Sequence, residues 1–237
     1  MTLQPFPDDW SRALVVVAHP DDMEYGGSGA VARWRDAGKE VAYLLVTRGE
    51  AGIDSLPPTE AGPLREGEQR AACAAVGVTE VDFLDHSDGV IEYGLPLRRD
   101  IAAVIRRRRP DLVVTGNFAD RWPSGALNMA DHVHTGRAVL DACRDAGNRW
   151  VFPGAGGEPW TGVRYLAVTG SPLPTHAVDI GPTFDRAVAS LSAHRAYLAA
   201  LGGDMADPET FLRSQATVVA EQLPGASLAV GFELFAL

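Results

Sequence analysis

The residues best suited to chemistry form one short segment, Ala18-His19-Pro20-Asp21-Asp22-Met23-Glu24, directly after an apolar run. His19 and Asp22 are three residues apart across a turn that Pro20 stiffens. An imidazole nitrogen and a carboxylate oxygen can therefore approach one cation of the size of zinc, at about 2.0 to 2.2 Å. Asp21 lies between them and remains free. The segment therefore predicts a turn that binds a cation.

A second segment, Asp131-His132-Val133-His134, could complete such a site. Two nitrogens and one oxygen are a usual ligand set for catalytic zinc, with water in the fourth position. Residues two apart on a helix point about 200° away from each other, so one ion should not receive both histidines. We therefore expect either His132 or His134 to be the third ligand.

Helix capping is the competing interpretation of both segments. Asp21 or Asp22 could cap the helix that follows, with Glu24 in a capping box, and Asp131 could cap a later helix with both following histidines on the surface. Capping alone does not explain why both segments carry histidines at the edge where ligands are expected. We therefore favour the metal site.

The elements that would position these residues follow an alternation of apolar runs and amphipathic stretches, which is typical of βα units around a buried parallel sheet. Strands are predicted at 13–18, 41–46, 81–84, 112–115, 163–168, 177–180 and 228–237. Helices are predicted at 29–37, 64–76, 95–109, 131–146, 182–201 and 208–221, with loops at 49–63, 117–130 and 154–162. We expect an α/β, Rossmann-like, open and mostly parallel sheet with helices on both faces, as one domain over residues 1–237.

Ligands of such sheets bind at the carboxyl ends of the strands, and the strand at 112–115 can neighbour the strand at 13–18. The two histidine segments would then lie at one edge. The turn after the first strand has no G-x-G-x-x-G pattern, which disfavours a dinucleotide cofactor.

Composition excludes several other classes of function. The 237 residues are 46% hydrophobic and 22% charged, as in soluble globular proteins. The net charge of −10 argues against nucleic-acid binding, and the arginine run at 106–109 is interpreted as a solvated helix end. Two cysteines offer no disulfide framework, no apolar run reaches the ~20 residues of a membrane span, and the N-terminus does not resemble a secretory signal. A cytoplasmic location is expected.

The chain resembles a known family, the zinc-dependent LmbE-like (PIG-L) de-N-acetylases, which remove acetyl groups from N-acetylglucosamine derivatives. The motifs that carry the resemblance extend to about residue 201: Ala18-His19-Pro20-Asp21-Asp22 with Glu24, Thr47-Arg48-Gly49-Glu50-Ala51-Gly52, the helix 65–78, Asp88-Gly89, Arg109-Pro110-Asp111, Asp131-His132 and His194-Arg195. The first motif is highly specific and the others are individually weak.

The resemblance implies an LmbE-like fold in which His19, Asp22 and His132 hold one Zn²⁺ per chain, or another divalent metal. It also implies that Asp21 is the general base. This agrees with the chemistry of the residues, because zinc lowers the pKa of bound water toward ~7 and a neighbouring carboxylate can take the proton.

The resemblance further implies sugar contacts for Arg65 and Asp88, and it also exposes a departure. The family usually has a histidine three residues before the metal-binding one, and here that position is Met129, which cannot donate a hydrogen bond. Loss of one such donor typically costs roughly 3 to 4 kcal/mol of transition-state stabilisation. If activity is retained, His194, His134 or another group is expected to replace the donor.

These observations predict a zinc-dependent hydrolase that removes an N-acetyl group from an N-acetylglucosamine-type amino sugar. Its partner would be a small-molecule amino-sugar substrate, and self-association into a homo-oligomer stays open. Two alternatives remain. One is a catalytically impaired metal-binding homologue, suggested by Met129, and the other is a zinc amidase or deacylase that acts on a non-sugar or long-chain N-acyl substrate.

Overall fold

The computed structural model describes residues 2–237, and among these eight strands form one sheet in the order β1-β7-β8-β6-β5-β2-β3-β4. The strands are β1 (Gln4–Pro5), β2 (Arg12–Val17), β3 (Glu40–Leu45), β4 (Glu80–Phe83), β5 (Leu112–Gly116), β6 (Tyr165–Thr169), β7 (His176–Asp179) and β8 (Ala229–Ala236). All pairings are parallel except those of β8, which runs antiparallel to both β6 and β7. The predicted mostly parallel α/β sheet is therefore confirmed.

Strand β2 lies between β3 and β5, so the expected neighbour relation with the strand at 112–115 is correct. Residues 13–17 of β2 are all buried because both faces of the sheet are covered. Successive side chains of a strand point to opposite faces, and accordingly Val15 and Val17 join one hydrophobic cluster while Leu14 and Val16 join the other.

Helices cover both faces of the sheet. They are α1 (Asp22–Gly26), α2 (Ser28–Asp36), α3 (Pro58–Ala75), α4 (Leu95–Arg108), α5 (Ala130–Gly147), α6 (Phe184–Ser192), α7 (Arg195–Leu201) and α8 (Pro208–Ala220). Buried residues of α2, α3, α6 and α8 pack on one face, and those of α4 and α5 pack on the other. None of the helices in the described part of the chain has both the length and the apolarity that crossing a bilayer needs.

Two helix predictions were wrong in their extent. The helix predicted at 64–76 begins earlier, at Pro58, inside the loop predicted at 49–63. Proline is well tolerated at the first helical position, because its missing N–H needs no partner there. The single helix predicted at 182–201 is a 3₁₀ turn followed by α6 and α7, which are separated at Ala193 and His194. The backbone of His194 is not helical, with φ −79° and ψ 55°.

The interpretation of the arginine run as a solvated helix end was wrong for Arg106. Its side chain is buried and donates hydrogen bonds to six backbone carbonyls, of residues 145, 146, 148, 151, 152 and 155. Carbonyls at the end of a helix lack partners within the helix. Arg106 supplies donors to the end of α5 and to the loop that follows it.

Candidate metal centre and active site

The turn after β2 is closed by a hydrogen bond within the predicted metal-binding segment. The backbone N–H of His19 donates to Asp22 Oδ2 over 2.9 Å. Oδ1 of Asp22 is left to face His132 at the start of α5. Asp22 is the first residue of α1, and Asp21 stands at its N-cap without capping the helix through its side chain. The capping interpretation of this segment therefore does not hold.

His132 meets the turn from the first part of α5. Its Nε2 lies 3.0 Å from Asp22 Oδ1, and its Nδ1 lies 2.9 Å from Asn128 Oδ1. The amide nitrogen of Asn128 donates to the carbonyls of residues 117 and 119, which turns its oxygen toward His132. His132 Nδ1 therefore carries the hydrogen, and Nε2 is the nitrogen available as a ligand.

His19 lies on the other side of Asp22. Its Nδ1 is 3.7 Å from Asp22 Oδ1, and the rings of His19 and His132 are 5.2 Å apart between centroids. Donor atoms of His19, Asp22 and His132 all lie within 4.8 Å of one another. The structure thus brings together the three residues that were expected to hold the metal.

A second pair of carboxylates faces the far nitrogen of His19. His19 Nε2 lies 3.0 Å from Asp88 Oδ1 and 3.1 Å from Asp131 Oδ2. Asp131 does not cap α5, because its carboxylate accepts from the backbone N–H groups of Gly89 and Ile91. Sequence reasoning missed this contact with His19, although the acidic residue directly before His132 was a visible signal.

The donor set fits a divalent metal such as zinc. Metal-binding histidines usually donate their second nitrogen to a carboxylate or carbonyl, which fixes the tautomer and the orientation of the ring. His19 has this arrangement with Asp88 and Asp131, and His132 has it with Asn128. Nδ1 of His19, Oδ1 of Asp22 and Nε2 of His132 are then the atoms left for a cation.

The electrostatics of the group favour a positive charge between these residues. Burial opposes protonation of His19, but the carboxylates of Asp22, Asp131 and Asp88 outweigh it and hold the pKa of His19 well above its usual value. The pKa of His132 is raised against burial in the same way, mainly by Asp22. Although burial works against ionisation, the two histidines hold the pKa of Asp22 far below its usual range.

Asp21 is buried beside this group and has another partner. Burial raises the pKa of its carboxyl to about 7, although Arg65 works in the opposite direction. Its backbone is left-handed, with φ 88°, a conformation that costs a non-glycine residue roughly 1 to 3 kcal/mol. A carboxylate with a pKa near 7 is well matched to general-base work at neutral pH.

Arg65 reaches Asp21 from α3. Its Nη2 donates to Asp21 Oδ2 and to the carbonyl of Pro20, each over 2.7 Å, and its Nη1 donates to the carbonyl of Gly49 over 2.9 Å. A Cβ atom at Gly49 or Gly52 would collide with the guanidinium, which explains both glycines. With 2% of its surface exposed, Arg65 contacts Asp21, and the predicted contact with a sugar stays a prediction.

The other sequence-predicted residues are placed as follows. Asp88 lies against His19, and its Oδ2 accepts from the backbone N–H of Ala51. His134 Nδ1 lies 2.6 Å from the carbonyl of Ile91, and His194 is fully buried with Nε2 3.6 Å from Glu24 Oε2. The structure brings neither His134 nor His194 into the group of ligand atoms. Met129 is 52% exposed at the start of α5.

Solved structures with the same fold include two that the chain matches over nearly all of its length. N,N'-diacetylchitobiose deacetylase from Pyrococcus horikoshii matches 96% of this chain and 84% of its own, with a TM-score of 0.85 and 24% identity. The conserved protein TT1542 from Thermus thermophilus matches 93% of this chain and 92% of its own, with a TM-score of 0.77 and 27% identity.

Sequence relatives are matched over part of their length. The chain is 31% identical over 146 residues to the diacetylchitobiose deacetylase of Thermococcus kodakarensis, covering 61% of this chain and 53% of that protein. It is 34% identical over 191 residues to the 1D-myo-inositol 2-acetamido-2-deoxy-alpha-D-glucopyranoside deacetylase of Kineococcus radiotolerans, covering 65% of this chain and 50% of that protein. The chain thus spans about half the length of these relatives.

The family model described as PIG-L, GlcNAc-PI de-N-acetylase, matches residues 14–143, which is more than half of the chain. This range contains the turn after β2, α3 and most of α5, and it confirms the resemblance inferred from the motifs. The chain belongs to the PIG-L family.

Proposed function

We propose that this chain is a zinc-dependent hydrolase that removes the N-acetyl group from an N-acetylglucosamine-type amino sugar. The observation that carries the proposal is the approach of His19 Nδ1 and His132 Nε2 to Asp22 Oδ1, over 3.7 and 3.0 Å, with the buried carboxylate of Asp21 outside the ligand group. The names of the two sequence relatives, both deacetylases, support the same reaction.

His19, Asp22 and His132 would hold one divalent ion per chain, and their mixed nitrogen and oxygen donors suit zinc. A bound zinc ion supplies a Lewis acid that polarises a carbonyl and lowers the pKa of water toward ~7. Asp88, Asp131 and Asn128 orient the two histidines through hydrogen bonds to their far nitrogens. Such outer partners support metal affinity.

Asp21 is the base in this proposal. It accepts a proton from water as the water oxygen adds to the acetamide carbonyl carbon, and it returns that proton to the nitrogen as the C–N bond breaks. The products are the free amine of the sugar and acetic acid, which releases its proton to solvent and becomes acetate. Arg65 holds the carboxylate of Asp21 through its 2.7 Å hydrogen bond, and contacts of Arg65 and Asp88 with the sugar stay part of the proposal.

Acetate release from a panel of N-acetylglucosamine derivatives, before and after removal of metal, tests the proposal. We expect activity that is lost with chelation and restored by zinc. Asp21→Asn should lower kcat at least about 100-fold, the low end of what a positioned general base contributes. Asp9→Asn is the matched control, because Asp9 is also bonded to an arginine, Arg164, on an exposed surface.

A longer or more apolar substrate is the second candidate, and a specific observation favours it. Val90, Leu127 and Met129 are 69%, 72% and 52% exposed. Val90 lies between the two residues whose N–H groups bond Asp131. Leu127 and Met129 lie on either side of Asn128, which bonds His132. Faster release of long-chain fatty acids than of acetate would assign a deacylase. Bound zinc without acyl release from any substrate, with Asp21→Asn equal to the unchanged protein, would assign the impaired homologue.

A further inference from the structure

A fully buried glutamine on α3 bonds the backbone of the proposed base. Oε1 of Gln69 accepts a hydrogen bond from the N–H of Asp21 over 3.0 Å. Gln69 lies one helical turn after Arg65, so both residues face Asp21 from the same side of α3. Arg65 bonds the carboxylate of Asp21 and Gln69 bonds its peptide N–H.

The amide of Gln69 is held in one orientation by other buried groups. Its Nε2 donates to Glu24 Oε1 over 3.2 Å and to Cys73 Sγ over 3.3 Å. Glu24 is itself 1% exposed. Because the nitrogen of the amide faces these two acceptors, its oxygen faces the N–H of Asp21.

This bond matters because Asp21 has an unfavourable backbone conformation. A non-glycine residue at φ 88° persists only where its surroundings fix it. Its carbonyl accepts a hydrogen bond from the N–H of Tyr25, and its side chain does not cap α1. Arg65 holds its carboxylate and Gln69 holds its N–H. A buried N–H without a partner would be free to turn toward another acceptor, and the carboxylate would turn with it.

We infer that Gln69 is a positioning residue, which fixes the peptide of Asp21 so that its carboxylate faces the metal-binding group. The inference rests on the proposed function, because Asp21 is the base only if the chain is a hydrolase. Misplacement of a reacting group by about 1 Å can lower a rate by 10²-fold. Gln69 contacts none of the proposed metal ligands, so its removal should leave metal binding intact.

Gln69→Met keeps the length of the side chain and removes its three hydrogen bonds, to Asp21, Glu24 and Cys73. We expect kcat to fall roughly 10- to 100-fold, with KM and zinc content unchanged. Ser190→Ala is the matched control, because Ser190 is equally buried and donates to the carbonyl of Ala72 on the same helix. This variant should lose stability and keep its kcat.

A swap variant separates positioning from general damage to the core. Gln69→Glu alone places a carboxyl group at position 69 against that of Glu24, and we expect this variant to lose activity. Glu24→Gln combined with Gln69→Glu restores an amide donor at position 24 and a carboxylate acceptor at position 69, and most of the lost kcat should return. Failure of the double variant to exceed Gln69→Glu, when both are folded and bind zinc, would overturn the inference.

Hydrogen exchange gives a readout that does not depend on activity. The backbone N–H of Asp21 should exchange slowly in the unchanged protein and at least about tenfold faster in Gln69→Met. The reason is that loss of one such hydrogen bond raises the equilibrium constant for local opening about tenfold. Unchanged protection in Gln69→Met, together with unchanged kcat, would show that Gln69 does not position Asp21. If the unchanged protein releases no acyl group from any substrate, the proposed function fails, and exchange alone then decides whether Gln69 fixes this peptide.

Discussion

At the scale of single residues, His132 and His134 differ only in the direction in which α5 presents them. His132 Nε2 points to Asp22, whereas His134 Nδ1 points to the carbonyl of Ile91. The 100° rotation per residue of a helix is the physical reason. The residue type is thus the same, and position on the helix alone separates the proposed metal ligand from its neighbour.

The two histidines therefore make a matched pair for metal analysis. We expect about one zinc ion per chain in the purified protein, and a drop in affinity of at least about tenfold in His132→Ala. His134→Ala should keep its zinc. Equal zinc content in the two variants would contradict the proposed ligand set and would direct attention to His19, Asp88 and Asp131, whose donor atoms also lie together.

At the scale of elements, the end of α5 depends on one side chain from α4. Arg106 is 3% exposed and donates to six carbonyls around the end of α5, while the neighbouring Arg107 is exposed. Because α5 begins at the proposed metal centre and ends at Arg106, this arginine fixes the far end of the helix that presents His132.

Substitutions of Arg106 and Arg107 separate the effect of burial on stability from the effect of charge. Arg106→Met should lower the free energy of unfolding by roughly 3 to 5 kcal/mol, because it leaves several buried carbonyls without a donor. Arg107→Met removes the same charge from the same helix and should change that free energy by less than about 0.5 kcal/mol. Urea unfolding of both variants measures the difference. Similar unfolding midpoints would show that the arginines act through charge alone.

At the scale of the whole molecule, the proposed ligands join two distant parts of the chain. His19 and Asp22 follow β2, and His132 lies more than 100 residues later in α5. A ligand that binds the folded state alone stabilises it by about 2.7 kcal/mol at 100 times its dissociation constant. For a chain of this size, saturating zinc should raise the Tm by about 5 to 10 °C.

This stabilisation by zinc should depend on pH. The pKa values of His19 and His132 are raised in the metal-free protein, so both histidines hold protons over a wider range and must release them to bind the metal. Lowering the pH from about 8 to about 6 therefore weakens zinc binding and shrinks the rise in Tm. A rise in Tm that grows toward acid pH would contradict this sign. Calorimetric scans with and without zinc at both pH values measure it.

The sequence by itself determined the class of sheet and the residues that meet at its edge. The continuous apolar run in β2 predicts a strand covered on both faces, and the polar segment after it predicts the ligand-binding edge. His19 and Asp22 were found in this way, and so was the pair of His132 and His134, because a strand end and a helix start are local features that residue type and order reveal. The resemblance to the family then singled out His132. The motif beginning at His19 also sufficed to indicate the family that the comparisons confirm.

Only the tertiary structure decided which atoms are used. Asp131 and Asp88 contact Nε2 of His19, and Gln69 accepts a hydrogen bond from the N–H of Asp21. These partners lie 48 to 112 residues apart along the chain. Burial of Arg106 likewise depends on the path of the chain after α5. Such contacts leave no periodic pattern, because a hydrogen bond across the fold depends on how elements pack and not on the local order of residues.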